Sequence, residues 1–302
     1  MLDIKLIREN PDAVRQRLAA RGRGDEAQVD RVLALNERRR KLVSESDALK
    51  AQRNAVSKEI GALKAQGADA SEKMAAMREV GDRIAALDRD IAAAEEEQRA
   101  ILLTIPNLPH PSVPTGKDAA DNLEVRRWGN KPEFAFEPKP HWEIGEALRI
   151  LDFPRAAKIS GSGFILYKGA GARLERGLIN FLLDLHTREH GYTEVFPPFL
   201  INRNAMIGTG QLPKFEEDMY RLRDDELYLA PTAEVPVSNI HRDETLRLDQ
   251  LPIYYCAYTP CFRREAGAAG KETRGMIRVH QFDKVEMVKF THPDTSYDEL
   301  EK

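Results

Sequence analysis

Six charged residues lie within or beside two apolar, aromatic-rich runs near the end of the sequence: Arg263, Arg264, Glu265, Arg278, Lys284 and Glu286. The runs read as two β-strands joined by a loop. An ionised side chain is costly in an apolar sheet unless a partner or a ligand meets it. The charges therefore point to a binding site or to an exposed ribbon.

Residues two apart on a strand share a face, so Arg263 and Glu265 point the same way. On the second strand one face collects Arg278, His280, Phe282, Lys284 and Glu286. Arginines grip phosphate oxygens, an aromatic ring stacks on a base, and a carboxylate accepts from an ammonium group. The set suits a nucleoside triphosphate. A half-solvated ribbon with charges paired across its strands explains the pattern nearly as well.

The loop between the strands, residues 266–275, is rich in glycine and carries Lys271 and Arg274. Glycine allows many backbone conformations, and the two basic side chains give the segment positive charge. The composition predicts a mobile, basic loop.

The first third of the chain shows apolar residues at seven-residue spacing. One series is Leu35, Leu42, Leu49, Val56 and Leu63, and two others are Met77, Ile84, Ile91 and Gln98 with Val80, Leu87, Ala94 and Ile101. Apolar spacing that averages about 3.5 residues is typical of supercoiled helices. With a break at Gly61 and residues 67–70, the pattern predicts an antiparallel helical hairpin about 50 Å long.

Basic residues cover the first helix of this hairpin, notably Arg38, Arg39, Arg40, Lys41 and Arg53. A charge run of this kind is usually a solvated face, although it also suits a track for nucleic-acid phosphates. A dimerisation or spacer coiled coil is the simplest interpretation of such an arm without further context.

Four prolines between residues 105 and 115 exclude a helix or a central strand and indicate a linker. The predicted fold class is α+β. An N-terminal helical arm spans residues 1–104, a linker spans 105–117, and an antiparallel β-sheet domain flanked by helices spans 118–302. In this last domain the sequence suggests strands at 123–128 and 164–167 and a flexible surface stretch at 202–220. It also predicts one helix over 141–153, and another whose Leu174, Leu178, Phe181, Leu182 and Leu185 belong to the core.

The net charge of −3 means that any nucleic acid must be bound by a local basic patch. No apolar run suggests a signal peptide or a membrane anchor. Cys256 and Cys261 face opposite ways on one predicted strand, which favours neither a disulfide nor a zinc site. No metal ligand is assigned, and a reducing cytoplasm fits these features.

The segment Phe262-Arg263-Arg264-Glu265, followed by a loop and by Arg278 and Phe282, resembles motif 2 of the class II aminoacyl-tRNA synthetases. Thr232-Ala233-Glu234 and the stretch HQFDKVEMV at 280–288 resemble the seryl-tRNA synthetase family in particular. Residues 191–200 resemble motif 1, which in class II enzymes packs against a symmetry mate. The likeness extends along the whole chain.

The resemblance implies a role for each site residue. Thr232, Ala233, Glu234, Arg263 and Glu286 would bind L-serine. ATP would be bound by Arg263, Arg264, Glu265, Arg278, Val279 and Phe282, with Phe282 stacked on the adenine. Arg263, Glu265 and Arg278 would carry the catalysis, with Mg²⁺ as a cofactor.

The resemblance also implies a homodimer whose arm binds the long variable arm of tRNA(Ser), and it allows tRNA(Sec). The activity would be ATP-dependent formation of seryl-adenylate and transfer of serine to the tRNA 3′ end. Nothing after Glu286 resembles the family's motif 3, so the class II core is expected to be incomplete, with exposed sheet edges. Two alternatives remain: a non-catalytic protein that binds tRNA through the arm, and a purely structural coiled-coil dimer.

Overall fold

The computed structural model describes residues 1–266 and 274–302. They form two compact units, Met1–Gly129 and Asn130–Lys302. Residues 267–273 of the loop predicted to be mobile, 266–275, lie outside the described residues.

The first unit consists of helices α1 (Ile4–Glu9), α2 (Pro11–Ala19), α3 (Gln28–Ala65) and α4 (Ser71–Thr104). The predicted antiparallel hairpin is confirmed, with α3 and α4 as its two arms. Of the two positions predicted for the break, the chain reverses at the second, residues 66–70, while α3 runs through the first, Gly61. Gly67 makes the turn with φ of 71°, a conformation that glycine adopts without steric cost.

The seam of the hairpin contains buried polar side chains. On α4 the predicted series is well buried at Ile84, Leu87, Ala94, Gln98 and Ile101, but the leucine and valine series of α3 is only half-buried. The fully buried positions on α3 are instead Val29, Val32, Asn36 and Ser46. Asn36 Nδ2 donates to Gln98 Oε1 at 3.4 Å, and Ser46 Oγ donates to Asp88 Oδ1 at 3.0 Å. Such paired polar groups in an apolar seam favour one helix register.

The second unit is built on strands β1 (Thr193–Glu194), β2 (Leu200–Asn202), β3 (Leu227–Leu229), β4 (Ile253–Phe262) and β5 (Gln281–Phe290). The main sheet has the order β1-β4-β5, in which β1 is parallel to β4 and β4 is antiparallel to β5. Strands β2 and β3 form a separate antiparallel pair. The long β4–β5 hairpin confirms the two strands predicted from the sequence, and β5 is an edge strand of the sheet as described.

Its helices are α5 (His141–Ala147), α6 (Phe153–Ser160), α7 (Ala170–Arg188), α8 (Arg203–Gly208), α9 (Glu234–Ser238) and α10 (Ser296–Glu301). The helix predicted over 141–153 is shorter, because Arg149 adopts φ of 55° and turns the chain toward α6. The strand predicted at 123–128 is wrong, since that segment has no strand partner. The strand predicted at 164–167 is reduced to a single bridge between Leu151 and Tyr167.

Residues 202–220, predicted to be a flexible surface stretch, contribute to the core. Ala205, Met206, Leu212 and Met219 are buried together with Tyr228. The segment begins with Asn202, whose side chain accepts from the N–H of Ala205 and caps α8. Polar and glycine residues concealed this core because its apolar members are widely spaced.

The prediction that the apolar face of α7 belongs to the core is also wrong. Leu174, Leu178, Phe181 and Leu182 are exposed by 36–60%. Helix periodicity reports a continuous apolar face, but it does not say what covers that face.

Among the described residues, no helix is long and apolar enough to cross a membrane. Cys256 and Cys261 are both buried free thiols on β4.

Candidate active site

The candidate site lies where β4 ends and β5 begins. A cavity of about 490 Å³ opens there, and its lining includes Thr232, Arg263, Glu265 and Arg278. Arg263 and Glu265 follow the last residue of β4, and Arg278 precedes the first residue of β5. The structure thus brings residues from three separate sequence segments around one space.

Arg263 is fixed by two contacts. Its Nε donates to the carbonyl oxygen of Pro231 at 3.3 Å, and its guanidinium carbon lies 5.1 Å from the centre of the Phe282 ring. The second distance is that of a cation–π contact. These contacts hold the guanidinium in place while the cavity leaves it open to an anionic ligand.

Glu265 and Arg278 form an ion pair, with Arg278 Nε donating to Glu265 Oε2 at 2.6 Å. The Glu265 side chain is only 17% exposed, whereas that of Arg278 is 52% exposed. A charge-assisted hydrogen bond to a carboxylate fixes the orientation of an arginine guanidinium. The pair therefore presents Arg278 to the cavity in a defined orientation.

The neighbouring candidates Arg264 and Val279 differ in exposure. Arg264 has an exposed side chain and donates its backbone N–H to the carbonyl oxygen of Asp218 at 2.9 Å. Val279, in contrast, is buried.

A second polar cluster surrounds the buried Thr232. Its hydroxyl donates to Glu286 Oε2 at 2.7 Å and accepts from Lys284 Nζ at 2.8 Å. Lys284 also pairs directly with Glu286. The same hydroxyl accepts from the N–H of Glu234, at the start of α9, at 3.2 Å. Thr232 thus joins a helix start to two charged residues of β5.

The strand register explains why these groups meet. Cys261 lies opposite Phe282, Thr259 opposite Lys284, and Ala257 opposite Glu286. Opposed residues in an antiparallel pair share a face, so the candidate residues of β5 lie beside small buried residues of β4 on one face of the sheet. Burial raises the pKa of the Cys261 thiol and keeps it protonated, although Thr259 and nearby Lys284 oppose the shift.

The opposite face of the hairpin holds a different cluster. Tyr258 Oη donates to Asp283 Oδ1 at 2.7 Å, and burial, followed by the charge of Asp283, raises the pKa of Glu175 on α7. Burial likewise raises the pKa of Tyr167 to about 12. These groups lie on the face of the sheet opposite that of Phe282, Lys284 and Glu286.

The structure separates the predicted residues into groups. Arg263, Glu265, Arg278 and Thr232 line the cavity. Phe282 contacts Arg263, and Glu286 bonds to Thr232. Ala233 is buried below α9, while the side chain of Glu234 is exposed at the start of that helix.

Sequence reasoning missed Lys284 as a partner of Thr232, and it missed the cavity wall formed by Gln211, Phe215 and Asp218. Lys284 shares the face of Phe282 and Glu286, so its two-residue spacing was a usable signal. No comparable signal marked the wall.

The basic residues of the arm differ in their contacts. Arg39 donates to Glu95 at 2.6 Å and Lys41 pairs with Glu37 at 2.7 Å. Arg38, Arg40 and Arg53 have exposed side chains on α3.

Chemically, the site offers two oriented guanidinium groups, an aromatic ring and a carboxylate beside a hydroxyl–amine–carboxylate cluster. Such a set can hold a polyphosphate with its base and, next to it, a small zwitterion with an ammonium and a hydroxyl group. These are the substrates of an amino-acid-activating enzyme.

Comparison with known proteins agrees with this chemistry. Residues 214–302 match the tRNA synthetase class II core domain (G, H, P, S and T), which defines the class of the protein. Residues 1–109 match the seryl-tRNA synthetase N-terminal domain.

Similar proteins include the serine–tRNA ligases of Geobacter sulfurreducens, 58% identical, and of Geobacillus sp. strain WCH70, 60% identical. Each is matched over all 302 residues of this chain and over 71% of its own length. The seryl-tRNA synthetase of Pyrococcus horikoshii, solved with ATP, superposes with a TM-score of 0.87 at 37% identity, with 100% of this chain and 72% of that chain covered. The cytoplasmic serine–tRNA ligase of Naegleria fowleri, solved with AMP, superposes with a TM-score of 0.81 at 30% identity. This superposition covers 99% of this chain and 69% of that chain. The chain belongs to the seryl-tRNA synthetase family.

Proposed function

We propose that this protein activates L-serine with ATP and transfers the seryl group to tRNA(Ser). The observation that carries the proposal is the adjacency of the two clusters. Thr232 lines the same cavity as Arg263, Glu265 and Arg278, and its hydroxyl is bonded to Glu286. A phosphate-binding group and an amino-acid-binding group thus lie side by side.

In this proposal ATP lies along the cavity. Arg263 binds the α-phosphate and Arg278, oriented by Glu265, reaches the far phosphates. Phe282 stacks on the adenine, the backbone near Val279 contacts the base, and Arg264 adds positive charge at the entrance. Arginine suits these positions because its planar guanidinium forms paired hydrogen bonds with phosphate oxygens.

Serine binds in the adjoining cluster. Glu286 accepts from its ammonium or hydroxyl group, Thr232 and the chain at Ala233 and Glu234 shape the pocket, and Arg263 contacts its carboxylate. Lys284 holds Thr232 and Glu286 in place through the contacts described above. A site of this kind discriminates against amino acids without a hydroxyl group, because their binding leaves its polar groups unpaired.

A carboxylate oxygen of serine attacks the α-phosphorus of ATP, forming a new P–O bond while the bond to the β-phosphate oxygen breaks and pyrophosphate leaves. A ribose hydroxyl at the tRNA 3′ end then attacks the carbonyl carbon of seryl-adenylate and releases AMP. The protein contributes chiefly position and charge, since Arg263 and Arg278 neutralise the negative charge that develops on the phosphates.

Mg²⁺ fits the site as a companion of the nucleotide. Among the described residues, no group of three or more His, Cys, Asp or Glu could hold a metal ion by itself. Mg²⁺ in nucleotide sites is commonly held by phosphates with one or two carboxylates, and Glu265 is a carboxylate that lines the cavity. When bound, the ion would neutralise phosphate charge.

We assign the α3–α4 hairpin to tRNA binding through the exposed Arg38, Arg40 and Arg53, with Arg39 and Lys41 as partly engaged neighbours. Basic side chains on a rigid arm suit the backbone of a double-stranded RNA stem, which is recognised largely by shape. The same contacts would serve tRNA(Sec) if it presents a similar stem.

The exposed apolar face of α7 supports a homodimer. Leu174, Leu178, Phe181 and Leu182 form one face of a long helix, and a second copy of the chain would cover it with C2 symmetry. A cytoplasmic location agrees with a tRNA substrate and with the reduced Cys256 and Cys261.

The test is aminoacylation with labelled serine, using this chain and transcripts of tRNA(Ser) and of a tRNA with a short variable arm. We expect serine to be esterified to tRNA(Ser) alone. Binding of tRNA(Ser) without any esterification would favour the non-catalytic tRNA-binding alternative. Failure to bind either transcript would favour a structural coiled coil.

A further inference from the structure

Asp218 lies outside the motif that contains the phosphate-binding residues, yet it makes two hydrogen bonds to that motif. Its backbone carbonyl oxygen accepts from the N–H of Arg264 at 2.9 Å, and its Oδ1 accepts from the N–H of Ala266 at 2.9 Å. The two donors flank Glu265 on either side. Asp218 therefore holds the backbone of this turn at two points.

The turn needs such support because Glu265 has φ of 50°. This left-handed conformation is unfavourable for a residue with a side chain, and it persists only where the surroundings enforce it. The two hydrogen bonds to Asp218 support it, since they hold the 265–266 peptide group, which follows the strained residue, and the 263–264 peptide group, which lies one residue before it.

The conformation of Glu265 decides where Arg278 points. Arg278 Nε lies 2.6 Å from Glu265 Oε2, and Asp218, Glu265 and Arg278 all line the cavity that also contains Arg263. If the turn relaxes, the Glu265 carboxylate moves and its hydrogen bond with Arg278 Nε is lost.

The segment that contains Asp218 is itself fixed by packing and hydrogen bonds. It ends the short helical turn Glu216–Asp218 and is followed by the buried Met219. Arg203 Nη1 donates to Glu216 Oε1 at 3.1 Å and to the hydroxyl of the buried Tyr228 at 2.9 Å, and that hydroxyl donates to the same Glu216 oxygen at 3.1 Å. Asp218 is thus directly attached to the core that Met219 and Tyr228 help to form.

We propose that Asp218 is a positioning residue for nucleotide binding, which acts by holding the Arg264–Ala266 turn so that Glu265 orients Arg278. The inference rests on the proposed function for its effect on ATP, but its structural part stands by itself. The chemistry requires only an acceptor at Oδ1, so an asparagine amide oxygen can replace the carboxylate.

The test compares Asp218→Ala, Asp218→Asn and the control Glu217→Ala, whose exposed side chain is the adjacent carboxylate. The first readout is amide hydrogen exchange resolved at Arg264 and Ala266. We expect Asp218→Ala to speed exchange at Ala266 by about fivefold or more, the effect of losing one hydrogen bond. Asp218→Asn and Glu217→Ala should leave it unchanged.

The second readout is serine-dependent ATP–pyrophosphate exchange. Asp218→Ala should raise KM for ATP by about five- to tenfold while KM for serine changes less than about twofold, and Asp218→Asn should restore the wild-type value. If Asp218→Ala does not fold, Asp218→Glu takes its place, because it keeps the charge and moves the acceptor.

Unchanged amide exchange at Ala266 in Asp218→Ala would overturn the proposal. Equal rises of both KM values would also overturn it, as would a defect of the same size in Asp218→Asn. A wild-type chain without any serine-dependent ATP–pyrophosphate exchange would count against the proposed function. The rate of amide hydrogen exchange at Ala266 would still decide whether Asp218 holds the turn.

Discussion

Thr232 and Glu286 are 54 positions apart in the sequence, yet the threonine hydroxyl donates to the glutamate carboxylate at 2.7 Å. The bond joins the start of α9 to the middle of β5. It places a carboxylate with a fixed orientation beside the cavity that contains the arginines. The proposed serine site depends on this contact.

Thr232→Val removes the hydroxyl while keeping the shape of the side chain. We expect the loss to cost about 1–3 kcal/mol in kcat/KM for serine, because Glu286 and Lys284 each lose a partner. KM for ATP should change little. Steady-state ATP–pyrophosphate exchange measures kcat/KM for serine and KM for ATP. Thr232→Ser is the control that keeps the hydroxyl. Equal effects on both substrates would contradict a role confined to serine.

Arg263→Ala should lower the rate of serine activation by about 150-fold or more, equivalent to about 3 kcal/mol, as does loss of one oxyanion donor elsewhere. The expected cause is the loss of charge at the α-phosphate. Single-turnover formation of seryl-adenylate measures it, and Arg223→Ala supplies an exposed arginine as control. A loss below about tenfold would exclude the assigned role.

Gly275→Ala should disturb the C-terminal end of the loop between β4 and β5. A Cβ there would lie 2.3 Å from His141 Nε2 and 2.8 Å from Trp142 Cε3, and His141 Nε2 already accepts from the N–H of Met276 at 2.9 Å. Gly210→Ala is the matched control, because Gly210 has a similar φ of 80° but open space around it. We expect Gly275→Ala to cost at least about 1 kcal/mol more in the free energy of unfolding. Chemical denaturation measures both variants, and equal losses would mean that the clash is relieved freely.

Asp152 should contribute to the fall in the free energy of unfolding at acid pH. Hydrogen bonding to Arg155, with help from Lys168, lowers its pKa from 3.8 to about 2. Because the folded-state pKa is the lower one, the contribution is fully present above pH about 4 and is lost as pH falls through about 2. Asp152→Asn keeps the cap acceptor for the N–H of Arg155 but removes the charge.

The slope of stability against pH between about 4 and about 2 should therefore be shallower in Asp152→Asn than in the wild type. Thermal unfolding across that range measures it, with the exposed Asp225→Asn as control. An unchanged slope would show that the ion pair forms equally in the unfolded chain.

Local patterns predicted the helical hairpin and the β4–β5 pair because both have strong periodicity. The same patterns placed Phe282, Lys284 and Glu286 on one face, which the register of β5 against β4 confirms. The chain reverses at the predicted residues 67–70, whereas Gly61 does not interrupt α3, since a single glycine costs only about 1 kcal/mol within a long helix.

The sequence failed where tertiary context decides the outcome. The apolar face of α7 reads as core, but nothing in its spacing distinguishes a core face from an exposed one. Asp218 escaped notice because its contacts are with backbone N–H groups, which carry no residue-specific signal. The seam position of Asn36 was also hidden, because polar residues do not appear in an apolar repeat.

ATP–pyrophosphate exchange by this chain with serine and with alanine tests both the catalytic activity and the assigned serine site. We expect serine-dependent exchange and a preference over alanine of about 10⁴ in kcat/KM, the discrimination expected of a site that hydrogen-bonds the substrate hydroxyl. Exchange with alanine within about tenfold of serine would contradict the assigned serine site, and the absence of any serine-dependent exchange would contradict the catalytic account.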